Sequence, residues 1–305
     1  MELHQLRYAL AVQKCGNFSR AAEQCHVSQP SLSQQIQKLE SELGVRLFTR
    51  LKRNAVPTPA GRALLERAAR IFSELDAATR EVKDHVTAVR GSVKIGVLPT
   101  IAPYMLPELL GRYSSKYPTV EVIIEENTTA NLIELAATCD LDVAILSLPI
   151  ADERLTRESL FTEELLLALP PGHAFSRLRR VRMSDLETQR FILLQEGHCL
   201  GHQAFRFCDS QGIHPAVVFR AAQLETLIGL VASGFGISLI PAMARRIARE
   251  HQPTYMSLVE PRPSRVIGVV WHREHYHSRA AAALIQTLRE LSQPSGPFEV
   301  LPLKP

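Results

Sequence analysis

Along the first sixty residues, apolar positions recur every three or four residues in short runs, each closed by a glycine or a small polar cluster. That period predicts successive short helices, each with one inward face. Leu3, Leu6, Tyr8, Leu10 and Val12 begin the first, which stops near Gly16-Asn17. Ser19 is an N-cap type for the second, where Ala21, Ala22 and Cys25 supply small side chains for close helix approach. His26-Val27 forms the turn. A third helix starts at Ser28, with Pro30 in its first turn, and directs Leu32, Ile36, Leu39 and Leu43 inward. Its opposite face carries Gln29, Ser31, Ser33, Gln34, Gln37 and Lys38, hydrogen-bonding side chains of the kinds that read base edges in a major groove. Arg46, Arg50, Lys52 and Arg53 follow in an expected β-hairpin, placed to hold phosphates.

A longer pattern begins at Thr58-Pro59. Leu64, Ala68, Ile71, Leu75, Ala78, Val82 and Val89 fall on alternating three- and four-residue steps, with His85 in the remaining place. This is a heptad seam that Glu66, Arg67, Arg70, Glu74, Asp76, Arg80 and Lys83 avoid, and it predicts one long helix. At about three heptads it could pair with a second copy or pack on its own domain. Beyond Gly91 the rhythm changes. Strands at Val93–Leu98, Val120–Glu125 and Asp142–Leu146 alternate with helices at Tyr104–Tyr113 and Leu132–Ala137, the pattern of a parallel α/β sheet. A second set follows: Leu165–Leu169, Phe191–Leu194, a helix from about Gly201, Ala216–Phe219, helix Leu224–Ala232 and Gly236–Ile240. Val266–Trp271 and a final helix, Ser278–Leu291, would return to the first set. The uncharged span Thr226–Ala244 contains Gly229, Gly234, Gly236 and Pro241, and reads as a buried helix, a glycine turn and a strand rather than a membrane segment.

Composition adds a charge division. The 305 residues hold 35 Lys and Arg against 31 Asp and Glu. Residues 1–90 carry 14 basic and 9 acidic side chains, whereas residues 91–305 carry 21 and 22. A basic third on a near-neutral body suggests a polyanionic partner, while an ordinary solvated surface is the plainer explanation. Met1 opens onto Glu2, Leu3 and His4 with no basic stretch leading into an apolar core, so no signal peptide is expected. Five cysteines and no export signal argue against a disulfide-stapled secreted scaffold and for a cytoplasmic location.

The candidate chemistry lies at Glu196-Gly197-His198-Cys199-Leu200-Gly201-His202-Gln203-Ala204, with Cys208 nine residues after Cys199. Cys199 falls at the expected N-terminus of a helix, where unpaired N–H groups and the helix dipole favour a thiolate. Cys208 offers a second thiol, so a peroxide-reactive centre is one reading. A small buried core cysteine with a chance neighbour is the other. Cys25 is expected in the helix-turn-helix core, and Cys15 and Cys139 have no assigned role. His272, His275 and His277 have metal-ligand spacings, but without neighbouring thiols they are expected in a surface loop. No cofactor or metal is expected.

The stretch Phe18 to Phe48, with its V-S-Q-P-S-L-S and I-x-x-L-E-x-x-L-G-x-x-L-F runs, resembles the winged helix-turn-helix of LysR-type transcriptional regulators. The resemblance continues through G-H-C-L-x-x-Q-A-x-x-F-C, Gly96–Tyr104, Leu224–Leu227 and Val231–Pro241, segments similar to those of the peroxide-sensing members of that family. It implies an α/β chain with a winged helix-turn-helix at 1–58, a linker and dimerisation helix at 59–90, and a two-lobed effector domain at 91–305. That domain would have type 2 periplasmic-binding-protein architecture, with lobe I at 91–163 and 267–305 and lobe II at 164–266. The lobes would join through crossing strands near Leu165–Leu169 and Val266–Trp271. By resemblance, Gln29, Pro30, Ser31, Ser33 and Gln34, with Lys38, Arg50 and Arg53 beside them, would contact double-stranded DNA at a pseudo-palindromic site. Cys199 would be the peroxidatic thiol and Cys208 the resolving one. Thr100, Thr129, His198 and Arg265 would hold hydrogen peroxide, with Thr128 able to replace Thr129 after a one-residue shift. Gly201 and His202 depart from the charged residues often found there. The resemblance further implies homodimers assembling to homotetramers, contact with RNA polymerase, no membrane association and no enzyme activity. A regulator of the same architecture answering a small organic anion between the lobes is the alternative.

Overall fold

The computed structural model describes residues 1–50, 54–84, 89–195, 199–247 and 251–293. The chain divides into two compact units, Met1–Val82 and Lys83–Pro305.

In the first unit, α1 (Leu3–Cys15) ends at Gly16, whose φ of 63° is the left-handed turn that lets its N–H bond back to the Val12 carbonyl. Next comes α2 (Phe18–Gln24), capped by Asn17 rather than Ser19: the Asn17 side-chain oxygen accepts from the N–H groups of Ser19 and Arg20 at 2.7 and 3.3 Å. Both are capping types, but Asn17 is the residue that leaves Gly16 in extended conformation, which aims its side chain along the new helix. Helix α3 (Gln29–Leu43) starts where the pattern predicts, with Ser28 Oγ accepting from Ser31 N. Leu32, Ile36 and Leu39 are fully buried, while Leu43 is exposed. Strands β1 (Phe48–Arg50) and β2 (Ala55–Pro57) form the expected hairpin.

Helix α4 (Pro59–Asp84) divides the anticipated seam. Ala68 is buried in the core of the first unit and Leu64 packs against it, whereas Ile71 and Leu75 stand exposed. Val89 and Arg90 are not helical, and Val89 packs on the core of the second unit. The linker helix therefore does not run through residue 90, and Val89 leaves the seam because it meets a closer apolar surface. His85 lies outside the described residues.

The second unit begins with β3 (Gly91–Val97), α5 (Ala102–Lys116), β4 (Val120–Glu126), α6 (Thr129–Ala137) and β5 (Val143–Leu148). There follow β6 (Leu155–Leu169), β7 (Arg190–Leu194), α7 (Cys199–Ser210), β8 (Ala216–Ala221) and α8 (Leu224–Ala232). The chain continues through β9 (Ser238–Pro241), β10 (Thr254–Met256), β11 (Ser264–His272) and α9 (Arg279–Leu291). One sheet runs in the order β10-β6-β11-β5-β3-β4, with β9 also on β6. Its β4, β3 and β5 are parallel, and β11 and β6 are antiparallel neighbours. A parallel β7–β8 pair joins it through a single bridge between Phe191 and Ile237.

β6 starts at Leu155, ten residues before the expected Leu165, and serves both lobes. Its outer half mixes charged and apolar residues, with Phe161 in one core, and its inner half places Leu165, Leu167 and Leu169 in another. The uncharged span Thr226–Ala244 resolves into α8, a turn and β9, and among the described residues no helix is long and apolar enough to cross a membrane. The histidine loop is less superficial than expected. His275 is 8% exposed, and His277 stacks edge-on against Trp271 with its pKa lowered by burial.

Candidate functional site

The exposed face of α3 presents Gln29, Pro30, Ser31, Gln34, Gln37 and Lys38 together, because its 3.6-residue period commits Leu32, Ile36 and Leu39 to the core. Ser33 departs from the expected face: it is 9% exposed, flanked by the buried Leu32 and one turn before buried Ile36. A side chain held there packs on the module rather than meeting a groove. Arg50 closes β1, its side chain outside the described set, and Arg53 lies outside the described residues. Cys15 donates its thiol to Gln24 Oε1 at 3.0 Å, and Cys25 packs against the module core with its pKa raised mainly by burial.

In the second unit, the loop after β3, the N-terminus of α6, α7 and the crossing strands carry the other expected residues. Arg265 on β11 and Thr100 after β3 meet directly. The guanidinium donates through Nη1 to Thr100 Oγ1 at 3.0 Å and through Nη2 to the Thr100 carbonyl at 3.1 Å. Both residues are 2% exposed. A buried cation requires compensation, and Glu163 on β6 supplies it: Arg265 Nε donates to Glu163 Oε2 at 2.7 Å. The other Glu163 oxygen accepts from Met243 N at 2.8 Å, so this carboxylate ties three segments. Nothing in the sequence pattern singled out Glu163, since Glu163-Glu164 reads as a solvated pair.

Thr128 and Thr129 have different tasks. Thr128 caps α6, its hydroxyl accepting from Asn131 N, whereas the buried Thr129 Oγ1 has no hydrogen-bond partner among the described residues. A buried hydroxyl without a partner forfeits about 1–3 kcal/mol, a cost that a small polar ligand would relieve. Thr129 is therefore the threonine with a hydroxyl to offer.

Helix α7 holds both cysteines of the redox segment, Cys199 as its first residue and Cys208 in its last turns. Cys208 is 1% exposed within the second lobe's core, and burial pushes its thiol up to about 11. The Cys199 side chain is outside the described set, and His198 lies outside the described residues. Gly201 has a clear local reason: a Cβ there would stand 2.5 Å from the Leu194 carbonyl oxygen, so only glycine lets the first turn of α7 seat on β7. One turn further, Gln203 Nε2 donates to Ser147 Oγ on β5 at 2.7 Å, joining α7 to the first lobe. Gln203 Oε1 is buried without a partner among the described residues. Gln203 belongs to the G-H-C-L-x-x-Q-A run, whereas nothing in the sequence pattern singled out Ser147.

Comparison with known proteins follows the same division. A model described as bacterial regulatory helix-turn-helix protein, lysR family, matches residues 3–62, and one for the LysR substrate binding domain matches residues 87–293. A hydrogen peroxide-inducible genes activator of Pectobacterium carotovorum subsp. carotovorum is 36% identical over 294 residues, covering 96% of this chain and 97% of that protein. The structure of a full-length cysteine-to-aspartate variant of Pseudomonas aeruginosa OxyR is similar with a TM-score of 0.79, 29% identity and 95% of each chain covered. An H2O2-bound cysteine mutant of Corynebacterium glutamicum OxyR is similar with a TM-score of 0.61 and 29% identity, covering 96% of this chain and 91% of that one.

Proposed function

The chain belongs to the LysR family of bacterial regulatory helix-turn-helix proteins, and from that premise we propose that it is a cytoplasmic, peroxide-sensing regulator of transcription. In this reading residues 1–58 bind DNA, α4 within 59–90 pairs two copies, and 91–305 senses, with lobes at 91–163 and 267–305 and at 164–266. Gln29, Pro30, Ser31 and Gln34 contact a pseudo-palindromic duplex, Lys38, Arg50 and Arg53 its phosphates. Dimers assemble to tetramers and meet RNA polymerase.

The observation that carries peroxide sensing is a set of polar groups: a charge-compensated Arg265 on Thr100, a Thr129 hydroxyl without a partner among the described residues, and a helix opening at Cys199. Hydrogen peroxide is small and neutral and both donates and accepts hydrogen bonds, which suits these groups. The organic-anion alternative is disfavoured because Glu163 already neutralises the guanidinium an anion would seek. His198 completes the proposed peroxide set.

The Cys199 thiolate attacks one peroxide oxygen as the O–O bond breaks; hydroxide leaves and takes a proton to become water, and Cys199 becomes a sulfenic acid. The Cys208 sulfur then attacks the Cys199 sulfur, its thiol proton is lost, and the sulfenic oxygen departs as a second water. The two thiols are oxidised to a disulfide and one peroxide is reduced to two waters. Nine residues of helix separate the cysteines by roughly 13 Å, whereas a disulfide needs Cα atoms within about 7 Å. Part of α7 must therefore unwind, and that refolding is the signal. Thiol mapping by mass spectrometry after stoichiometric peroxide tests the reading. A Cys199–Cys208 bridge, with a peroxide-dependent DNA footprint lost in Cys199→Ser and Cys208→Ser, is the expected result. A full footprint change in Cys208→Ser overturns it.

A further inference from the structure

Arg265 makes one contact that the thiol chemistry leaves unused. Its Nη2, besides donating to the Thr100 carbonyl, faces Met243 Sδ at 3.9 Å. A thioether is a weak acceptor, so at this distance an N–H of a buried guanidinium is poorly satisfied. Met243 is held in place: its backbone N–H donates to Glu163 Oε1 at 2.8 Å, within the short helix Ala242–Arg246 that follows β9. Ile240 and Ala244 on either side belong to the second lobe's core, yet the Met243 side chain packs into the core of the first. Met243 is 5% exposed and Met183, among the apolar side chains of the second lobe, is 6% exposed. The two sulfurs therefore differ less in their access to solvent than in what surrounds them.

We propose that Met243 is a second oxidation site, whose thioether is converted to the sulfoxide by hydrogen peroxide held on Arg265. The inference rests on the peroxide reading of Thr100 and Arg265, and adds a target that needs neither thiol. A peroxide oxygen is a better acceptor than sulfur, so on Nη2 it displaces the thioether and comes to lie against it. The sulfur lone pair attacks one peroxide oxygen as the O–O bond breaks. The leaving hydroxide takes the proton of the transferred hydroxyl and departs as water, and the thioether, oxidised by two electrons, keeps one oxygen. Without the negative charge of a thiolate the sulfur reacts more slowly, which places Met243 after Cys199 and assigns it to excess peroxide. The same donor then retains the product, because the sulfoxide oxygen accepts a charge-assisted hydrogen bond where sulfur made only a weak one. Oxidation also makes an apolar side chain polar at the point where the second lobe reaches into the first lobe's core.

The test uses the full-length protein with Cys199 and Cys208 both changed to Ser, so that the thiol switch stays off. After a peroxide time course quenched with catalase, peptide mass spectrometry gives the oxidation rates of Met243 and Met183 in one sample. Met243 is expected to oxidise about ten-fold faster than Met183 with hydrogen peroxide, a gain from positioning. With tert-butyl hydroperoxide, too bulky for the same seat, the ratio is near unity. Arg265→Lys keeps the charge and removes Nη2, and it brings the hydrogen peroxide ratio to unity as well. A ratio near unity with both oxidants, an equally raised ratio with both, or a raised ratio surviving in Arg265→Lys each overturns the proposal. Should Arg265→Lys fail to fold, the fully buried Met105 oxidises along with the rest, and the comparison of the two oxidants decides. In the wild-type protein, a Cys199–Cys208 bridge without preference for Met243 sinks this inference alone. Preference for Met243 without a bridge sinks the thiol reading instead.

Discussion

Glu163 and Arg265 lie almost wholly out of water, and each is tolerable there because of the other. Removing one partner strands a buried charge, so Glu163→Ala should cost about 3–5 kcal/mol, read from urea unfolding of the reduced protein. A loss below about 1 kcal/mol would mean that the pair is far better solvated than its burial implies. Cys208 sets a pH dependence of its own. Its folded value of about 11 stands above the ordinary 9.0, so burial stabilises the fold while the thiol is protonated. That contribution is complete below pH 9 and fades as pH rises through 11. Stability of the reduced protein should therefore fall across this window, with a smaller fall in Cys208→Ala, measured by denaturant midpoints. Thr100 and Arg265 were legible through resemblance, Thr100 within the run Gly96–Tyr104 and Arg265 by its position beside the crossing strand Val266–Trp271. Glu163 escaped notice because its partner is 102 residues away and acidic neighbours on a strand look solvated. Ser33 failed in the opposite sense: a serine on a polar stretch looks exposed, yet helical geometry turned it inward.

At the scale of elements, α7 carries the proposed switch, and its stability opposes disulfide formation. Arg206 is exposed in its interior, so Arg206→Gly should weaken the helix by about 1 kcal/mol without disturbing the core. The reduced form loses that energy and the unwound oxidised form does not. The midpoint potential of the Cys199–Cys208 couple should become more negative by roughly 20 mV, measured against a glutathione series. An unchanged potential would indicate that α7 stays wound in the disulfide form. Helices here were more readable than strands. A capping Ser28 and a 3.6-residue period placed α3, and the apolar pattern alone placed α8, to within a residue or two, whereas the outer half of β6 was hidden by Arg157, Glu158, Glu163 and Glu164. A crossing strand with different neighbours along its length need not be apolar throughout, and its charged stretches are easily taken for a loop.

At the scale of the whole molecule, Ile71 and Leu75 are large apolar side chains left in water on a helix that commits Leu64, Leu65, Ala68 and Phe72 to its own module. Leu75→Glu should shift sedimentation toward monomer at micromolar concentration and weaken binding to a full palindrome far more than to a half-site. Retention of the wild-type sedimentation profile would exclude α4 as the pairing element. The composition hinted at this division of labour, since the excess of positive charge stops near residue 90, but the point where the seam changes allegiance depended on which surface lay nearest. The continuous run of β6 from one core to the other has a mechanical consequence. Its ladder with β11, from Ser264 opposite Glu164 to His272 opposite Leu155 with one register shift between Ile267 and Gly268, ends as β6 leaves the core that holds Phe161 for the core that holds Leu165. One strand thus serves two cores, and the proposed refolding of α7 would pass from the second core to the first along a single continuous backbone.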